Sequence, residues 1–174
     1  MADRSTVRMM TRYMAWADDV VLADATALSP EALVETRDTL FGSISGTFDH
    51  ILLVGEIFRA HLENRDHPHA SRHRPVTRPF DLVAGELRAM NRHYVAFADA
   101  QSDAQLDQVV NFTYVGGGDG AMTRAEILLH LVNHSTYHRG FISVLLYPHG
   151  FDRRANDLTV FLRDAWPAIA PTID

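Results

Sequence analysis

His134 and His138 stand four residues apart in a stretch that otherwise carries Ile127, Leu131, Ile142 and Leu145 at three- and four-residue steps. On a helix, that spacing stacks two side chains on one face with Cβ atoms about 6 Å apart, so both imidazoles can reach one ion at about 2.0 to 2.1 Å. The two histidines occupy places where the apolar rhythm calls for Leu or Ile. His50 lies in another helical stretch, on the line of Gly46, Leu53, Val54 and Ile57, and so also points from an apolar surface inward. Three neutral nitrogen ligands with a fourth place open make a catalytic metal site rather than a closed structural one. Spacing alone leaves an alternative, in which these are core histidines with hydrogen-bonded nitrogens.

The chain has ten histidines, so the rest need the same scrutiny. His130 extends the series by a turn but sits off the centre of the stripe, which suits a supporting or surface role. His61 shares the rotational line of His50 but lies about 16 Å further along the axis, too far for the same ion. His67, His69 and His73 fall in a proline-rich stretch without a rigid scaffold and are read as solvated. Arg139 could steer an anionic substrate, with a salt bridge to a neighbouring helix as the plainer use. Tyr13, Trp16 and Tyr94 are read as core aromatics.

Positioning these groups requires long helices. Val7, Met10, Met14, Ala17 and Val21 mark a helix over about 4–27, stopped by Ser29 and Pro30. Ser43 caps a second, whose apolar residues from Ile44 to Leu62 cover more than one face and predict deep burial. Residues 64–79 hold three prolines and almost nothing apolar, and read as a surface loop. A third helix runs from about Asp81 to Gln101. Val109, Val110, Phe112, Tyr114 and Val115, followed by Gly116, Gly117, Gly118 and Gly120, predict a short hairpin or extended connector. No Gly-Lys-Ser/Thr follows those glycines, which excludes a phosphate loop. Thr123 and Glu126 form a capping box for the fourth helix, which reaches about Tyr147 before Pro148 and Gly150 end it. A short helix over about 156–164 would close one end of the bundle. The fold class is all-α, a four-helix bundle, in one domain over 1–174.

Composition narrows the partners. Sixteen Lys and Arg against 22 Asp and Glu give a net charge of −6, and no basic stripe offsets it, which argues against nucleic acid. The absence of cysteine removes disulfides, thiolate ligands and a cysteine nucleophile. Met1 to Arg12 carries charges and no continuous apolar block, so neither a signal peptide nor a membrane span is expected there, and the cytoplasm is the expected location.

The run Asn133-His134-Ser135-Thr136-Tyr137-His138-Arg139-Gly140 resembles the Asn-His-x-Thr-x-His-Arg-Gly pattern of the DinB/YfiT family of helical bundle proteins. Tyr13-Met14-Ala15-Trp16-Ala17-Asp18 is similar to that family's opening segment, and the stretch from Phe41 to His50 to its Ser-Ile-x-x-Thr-Leu-x-His segment; Asp157-Leu158 matches a late Asp-Leu. The likeness spans nearly the whole chain. It implies up-down-down-up connectivity, a divalent ion on His50, His134 and His138, and often a homodimer. Relatives include thiol-dependent transferases and an isomerase, in which the metal activates a small thiol. Tyr137 stands where the family often has a second His, and Phe141 where it often has Gln, so substrate contacts are not carried over. The expected function is a metal-dependent hydrolase or a transferase using a low-molecular-weight thiol, with zinc or nickel as the metal and iron or manganese as others that suit the ligands. The alternative is a non-catalytic, stress-related metal- or ligand-binding module, since no carboxylate base accompanies the histidine stripe.

Overall fold

The computed structural model describes residues 3–150 and 154–170. Helix α1 (Arg4–Ala25) begins where the Asp3 carboxylate accepts the Thr6 amide at 2.7 Å. It buries Val7, Met14, Ala17 and Val21 along one face, as the periodicity predicts, and ends two residues early. The polar stretch beyond holds a short helix, α2 (Pro30–Val34), capped by Ser29. In α3 (Ile44–Leu62) the Ser43 hydroxyl accepts the Gly46 amide at 2.9 Å, as expected, and most of the helix surface is buried. Helix α4 (Phe80–Ala100) is followed by the single turn α5 (Asp103–Leu106).

Strands β1 (Val109–Thr113) and β2 (Asp119–Thr123) pair antiparallel, with Val109 opposite Thr123 and Thr113 opposite Asp119. Gly116, Gly117 and Gly118 have φ of +100°, +99° and +93°, a region that non-glycine residues rarely adopt, and they turn the chain between the strands. Thr123 and Glu126 then make the reciprocal capping box that starts α6 (Arg124–Leu146). After a 3₁₀ turn over Tyr147–His149 come α7 (Leu158–Asp164) and α8 (Trp166–Ile169). The C-terminal segment does not close an end of the bundle. Phe161 instead packs against Tyr13 and Trp16, halfway along α1.

Helices α1 and α3 lie diagonally opposite, each flanked by α4 and α6. Two apolar clusters fix the directions. One gathers Val7 from the start of α1, Leu62 and Ala98 from the ends of α3 and α4, and Leu128 from the start of α6. The other gathers Ala25, Ile44, Phe80 and Leu146 from the opposite ends. The order is therefore up-down-down-up, with residues 26–43 crossing from α1 to its diagonal neighbour. Between the two clusters lies a polar waist. Asp18, Asn91, Ser135 and Arg139 are buried there, and His50 and His138 are buried at the same level.

The loop over 64–79 runs over the surface, as expected, but it is fastened to the bundle by ion pairs. Arg74 donates to Asp49 at 3.1 Å and to Glu56 at 2.8 Å, while Arg78 donates to Asp49 at 3.1 Å and to Glu86 at 2.7 Å. The Ser45 hydroxyl donates to the Arg78 carbonyl at 2.8 Å. The buried Asp49 carboxylate thus fastens the loop to α3, and of its histidines His67 and His69 are half-buried, the latter 2.9 Å from Glu56. Among the described residues, no helix is long and apolar enough to cross a membrane.

Candidate metal centre

Antiparallel packing of α3 against α6 brings His50 beside His134 and His138. One ring nitrogen from each lies within 4.8 Å of the others. His50 and His134 approach Nε2 to Nε2 at 3.0 Å, and the three ring centroids are 4.4 to 4.9 Å apart. Ligands on a tetrahedral ion at Zn–N distances lie about 3.3 Å from one another, so a small closing movement separates this arrangement from coordination. Among the described residues no other three His or carboxylate groups converge in this way.

The surroundings hold the rings in the ligand form. His50 Nδ1–H donates to the backbone carbonyl of Arg72, which fixes the tautomer and leaves the Nε2 lone pair facing His134. Phe41 stacks on His50 at 4.1 Å and meets the edge of His138 at 5.3 Å. His138 Nδ1 is buried without a hydrogen-bond partner among the described residues. Burial, and then the neighbouring imidazoles His138, His50 and His130, push His134 down to about 3. Burial and then His50 push His138 down to about 4. His50 is also lowered, chiefly by burial, against the raising effect of its hydrogen bond to Arg72. All three are therefore neutral at physiological pH. Three neutral nitrogens, with no carboxylate or thiolate among them, make a donor set that fits a borderline divalent ion and could hold one.

The remaining candidates fall outside the cluster. His130 lies one turn before His134, half-buried, with its ring 4.8 Å from Phe58 and 5.8 Å from His134. His61 stacks on Phe112 at 4.6 Å, and His67 and His69 trail away from it. Arg139 takes the salt-bridge role. It pairs with Asp18 at 2.7 Å and donates to Ser135, Thr136 and the Tyr13 hydroxyl. Tyr94 is a core aromatic whose hydroxyl donates to the Gly55 carbonyl at 2.6 Å.

A cavity of about 950 Å³ opens over the three histidines, walled by Val54, Ile57 and Phe58 of α3 and by Phe112 and Met122 of the hairpin. The hairpin is thus part of the site. Sequence reasoning missed Arg72 as a site residue, because a loop without periodicity gives no sign of which carbonyl will meet His50. Phe41 was visible only as one position of a familiar stretch.

Comparison with known proteins agrees with this fold. The protein DinB of Bacillus subtilis (strain 168) is 25% identical over 156 residues, covering 86% of this chain and 90% of that one. The crystal structure of a DinB-like protein from Bacillus cereus ATCC 10987 shares the fold with a TM-score of 0.63 at 18% identity, over 84% of this chain and 94% of that one. The family model of the DinB family matches residues 1–170, and the chain belongs to that family.

Proposed function

We propose that the protein is a metal-dependent enzyme in which His50, His134 and His138 hold one divalent ion, zinc or nickel first and iron or manganese next. The reaction is hydrolysis of a small molecule or transfer to it of a low-molecular-weight thiol. The observation that carries this reading is the meeting of three neutral imidazoles beneath an accessible cavity, where a structural site would be enclosed. An ion on three histidines supplies Lewis acidity and lowers the pKa of a water or thiol bound to it.

The chain's own residues supply the rest. The Arg72 carbonyl orients His50, and Phe41 covers two of the three rings from one side. Val54, Ile57, Phe58 and Met122 give the cavity an apolar wall, against which a bound ligand would displace water and strengthen electrostatic interactions at the ion. No carboxylate among the described residues lines the cavity, and we assign proton transfer to a ring nitrogen of His130, which is half-buried next to His134. We read residues 1–174 as one domain, working in the cytoplasm as a homodimer. Tyr137 and Val144, 74% and 65% exposed and seven residues apart on α6, support a self-association surface beside the cavity mouth.

The missing carboxylate also favours a second reading, a stress-related metal- or ligand-binding module without turnover. Elemental analysis of the purified protein beside His138→Ala tests the metal: one ion per chain is expected, with most of it lost in the variant. Turnover of a panel of electrophiles with and without a low-molecular-weight thiol, measured before and after chelation, then separates the two readings. Chelation-sensitive turnover supports the enzyme; bound metal with no turnover leaves the binding module.

A further inference from the structure

The chain carries a net charge of −6, yet among the described residues no Asp or Glu lines the cavity above the three histidines. Among the described residues, Arg72 is the one Arg or Lys that lines it. The arginines near it in the sequence are all engaged. Arg65 pairs with Glu63, Arg74 with Asp49 and Glu56, and Arg78 with Asp49 and Glu86. No carboxylate among the described residues pairs with the Arg72 guanidinium. Its place is nevertheless set, because its own carbonyl is the acceptor for His50 Nδ1–H. Its positive charge is felt by the His50 ring, whose protonation it disfavours.

Another part of the lining has a different chemistry. Phe58 and Phe112 meet edge to face at 5.6 Å, with Tyr114 a further 5.0 Å from Phe112, and Val54, Ile57 and Met122 complete an apolar surface. A ligand suited to both ends is small and amphipathic. Its aromatic or aliphatic body packs on the phenylalanines, and its anionic end meets a guanidinium that no protein carboxylate neutralises.

We propose that the cavity selects small carboxylates with an apolar body, that Arg72 binds the carboxylate, and that Phe58 and Phe112 form the seat of the body. This deepens the reading of the three-histidine centre as the working site and rests on it. It names the substrate class as acidic, where the metal alone would leave charge unspecified.

The test uses 3-phenylpropanoate and its uncharged amide, 3-phenylpropanamide, titrated calorimetrically into full-length protein, both metal-loaded and after chelation. Wild type should bind the acid about tenfold more tightly than the amide in both states. Arg72→Gln, at an exposed position that keeps the backbone carbonyl, should remove that preference in the chelated protein and reduce it in the loaded one, with amide affinity unchanged. Arg72→Lys should restore part of it, and Phe112→Ala should weaken both probes alike. Equal affinity of wild type for acid and amide after chelation, a preference that survives Arg72→Gln, or no acid binding up to about 10 mM would overturn the assignment. Metal content of the same samples separates this from the function proposed above. An ion retained without the acid preference overturns the anion site alone, and an acid preference in protein that takes up no ion when metal is supplied overturns only the metal reading.

Discussion

Asp18 of α1 and Arg139 of α6 meet at 2.7 Å, each side chain 1% exposed, one residue along the chain from His138. The carboxylate also accepts from Ser135 and from Asn91 at 2.9 Å, so one buried anion ties together three of the four long helices. The pair sits at the polar waist where the two apolar clusters part, the level at which the histidines converge. Removing one member of such a pair leaves an unpaired charge in the interior. Asp18→Ala should therefore lower stability by about 3 to 5 kcal/mol. That corresponds to a fall in Tm of roughly 10 °C for a chain of this size. The double variant Asp18→Leu/Arg139→Met should recover most of the loss, which chemical denaturation of the three proteins would measure. A single variant as stable as wild type would show that the pair contributes nothing.

Asp49, the chain neighbour of His50, links the loop to the centre through its carboxylate. It fastens Arg74 and Arg78, and the loop they anchor carries the carbonyl that orients His50. Asp49→Asn keeps the shape and removes the charge. Metal affinity should drop about 10- to 100-fold, the usual consequence of disturbing a group that orients a ligand. Competition with a chromophoric chelator reads the affinity, and hydrogen exchange over 64–79 should rise with it. Loosening of the loop without loss of affinity would separate the two and refute the link.

These two relationships mark the limit of what the sequence could convey. Local rules act over a turn or two, and they gave the Ser43 cap, the Thr123/Glu126 box, the hairpin and the histidine stripe of α6 with boundaries good to a residue or two. The inward face of His50 was legible for the same reason. Its meeting with His134 was not, because nothing local specifies which helices pack antiparallel; the connectivity came from resemblance to a family. The surface position of the loop was legible, but its anchoring was not, because its ion pairs run to Asp49, Glu56 and Glu86 on two helices, and polar composition alone looks the same whether a side chain faces water or a buried carboxylate. The C-terminal helix was placed wrongly because one buried Phe161 decides where it docks, and its apolar residues fit an end or a flank equally.

Gly46 allows the segment before α3 to close over the site. A Cβ added there would lie 2.1 Å from the Phe41 carbonyl oxygen, which is main chain and cannot swing aside. Gly46→Ala must therefore displace Phe41, whose ring stacks on His50 at 4.1 Å with planes 17° apart. Overpacking of this kind costs about 1 to 3 kcal/mol. The expected result is a lower Tm together with weaker metal retention, while Gly85→Ala, where a Cβ meets nothing within 4 Å, should keep the metal and lose no stability. Equal behaviour of the two variants would refute the role assigned to Phe41.

Acid should weaken the fold through the same histidines that would hold the ion. In the unfolded chain an imidazole titrates at about 6.5. Burial and neighbouring imidazoles hold His134 near 3 and His138 near 4 in the folded protein. Between those limits the unfolded state binds protons that the folded state refuses, so the stability of the metal-free protein should rise with pH from about 4 to about 6.5 and level off above. Protons also compete for the lone pairs that a metal would use, so a bound ion steepens the same dependence. Urea midpoints of the chelated protein at pH 5 and pH 7 read the effect, and His134→Leu/His138→Leu should flatten it. A midpoint that is higher at pH 5 than at pH 7 would mean that the folded site welcomes protons, and the depressed basicity derived from its burial would be wrong.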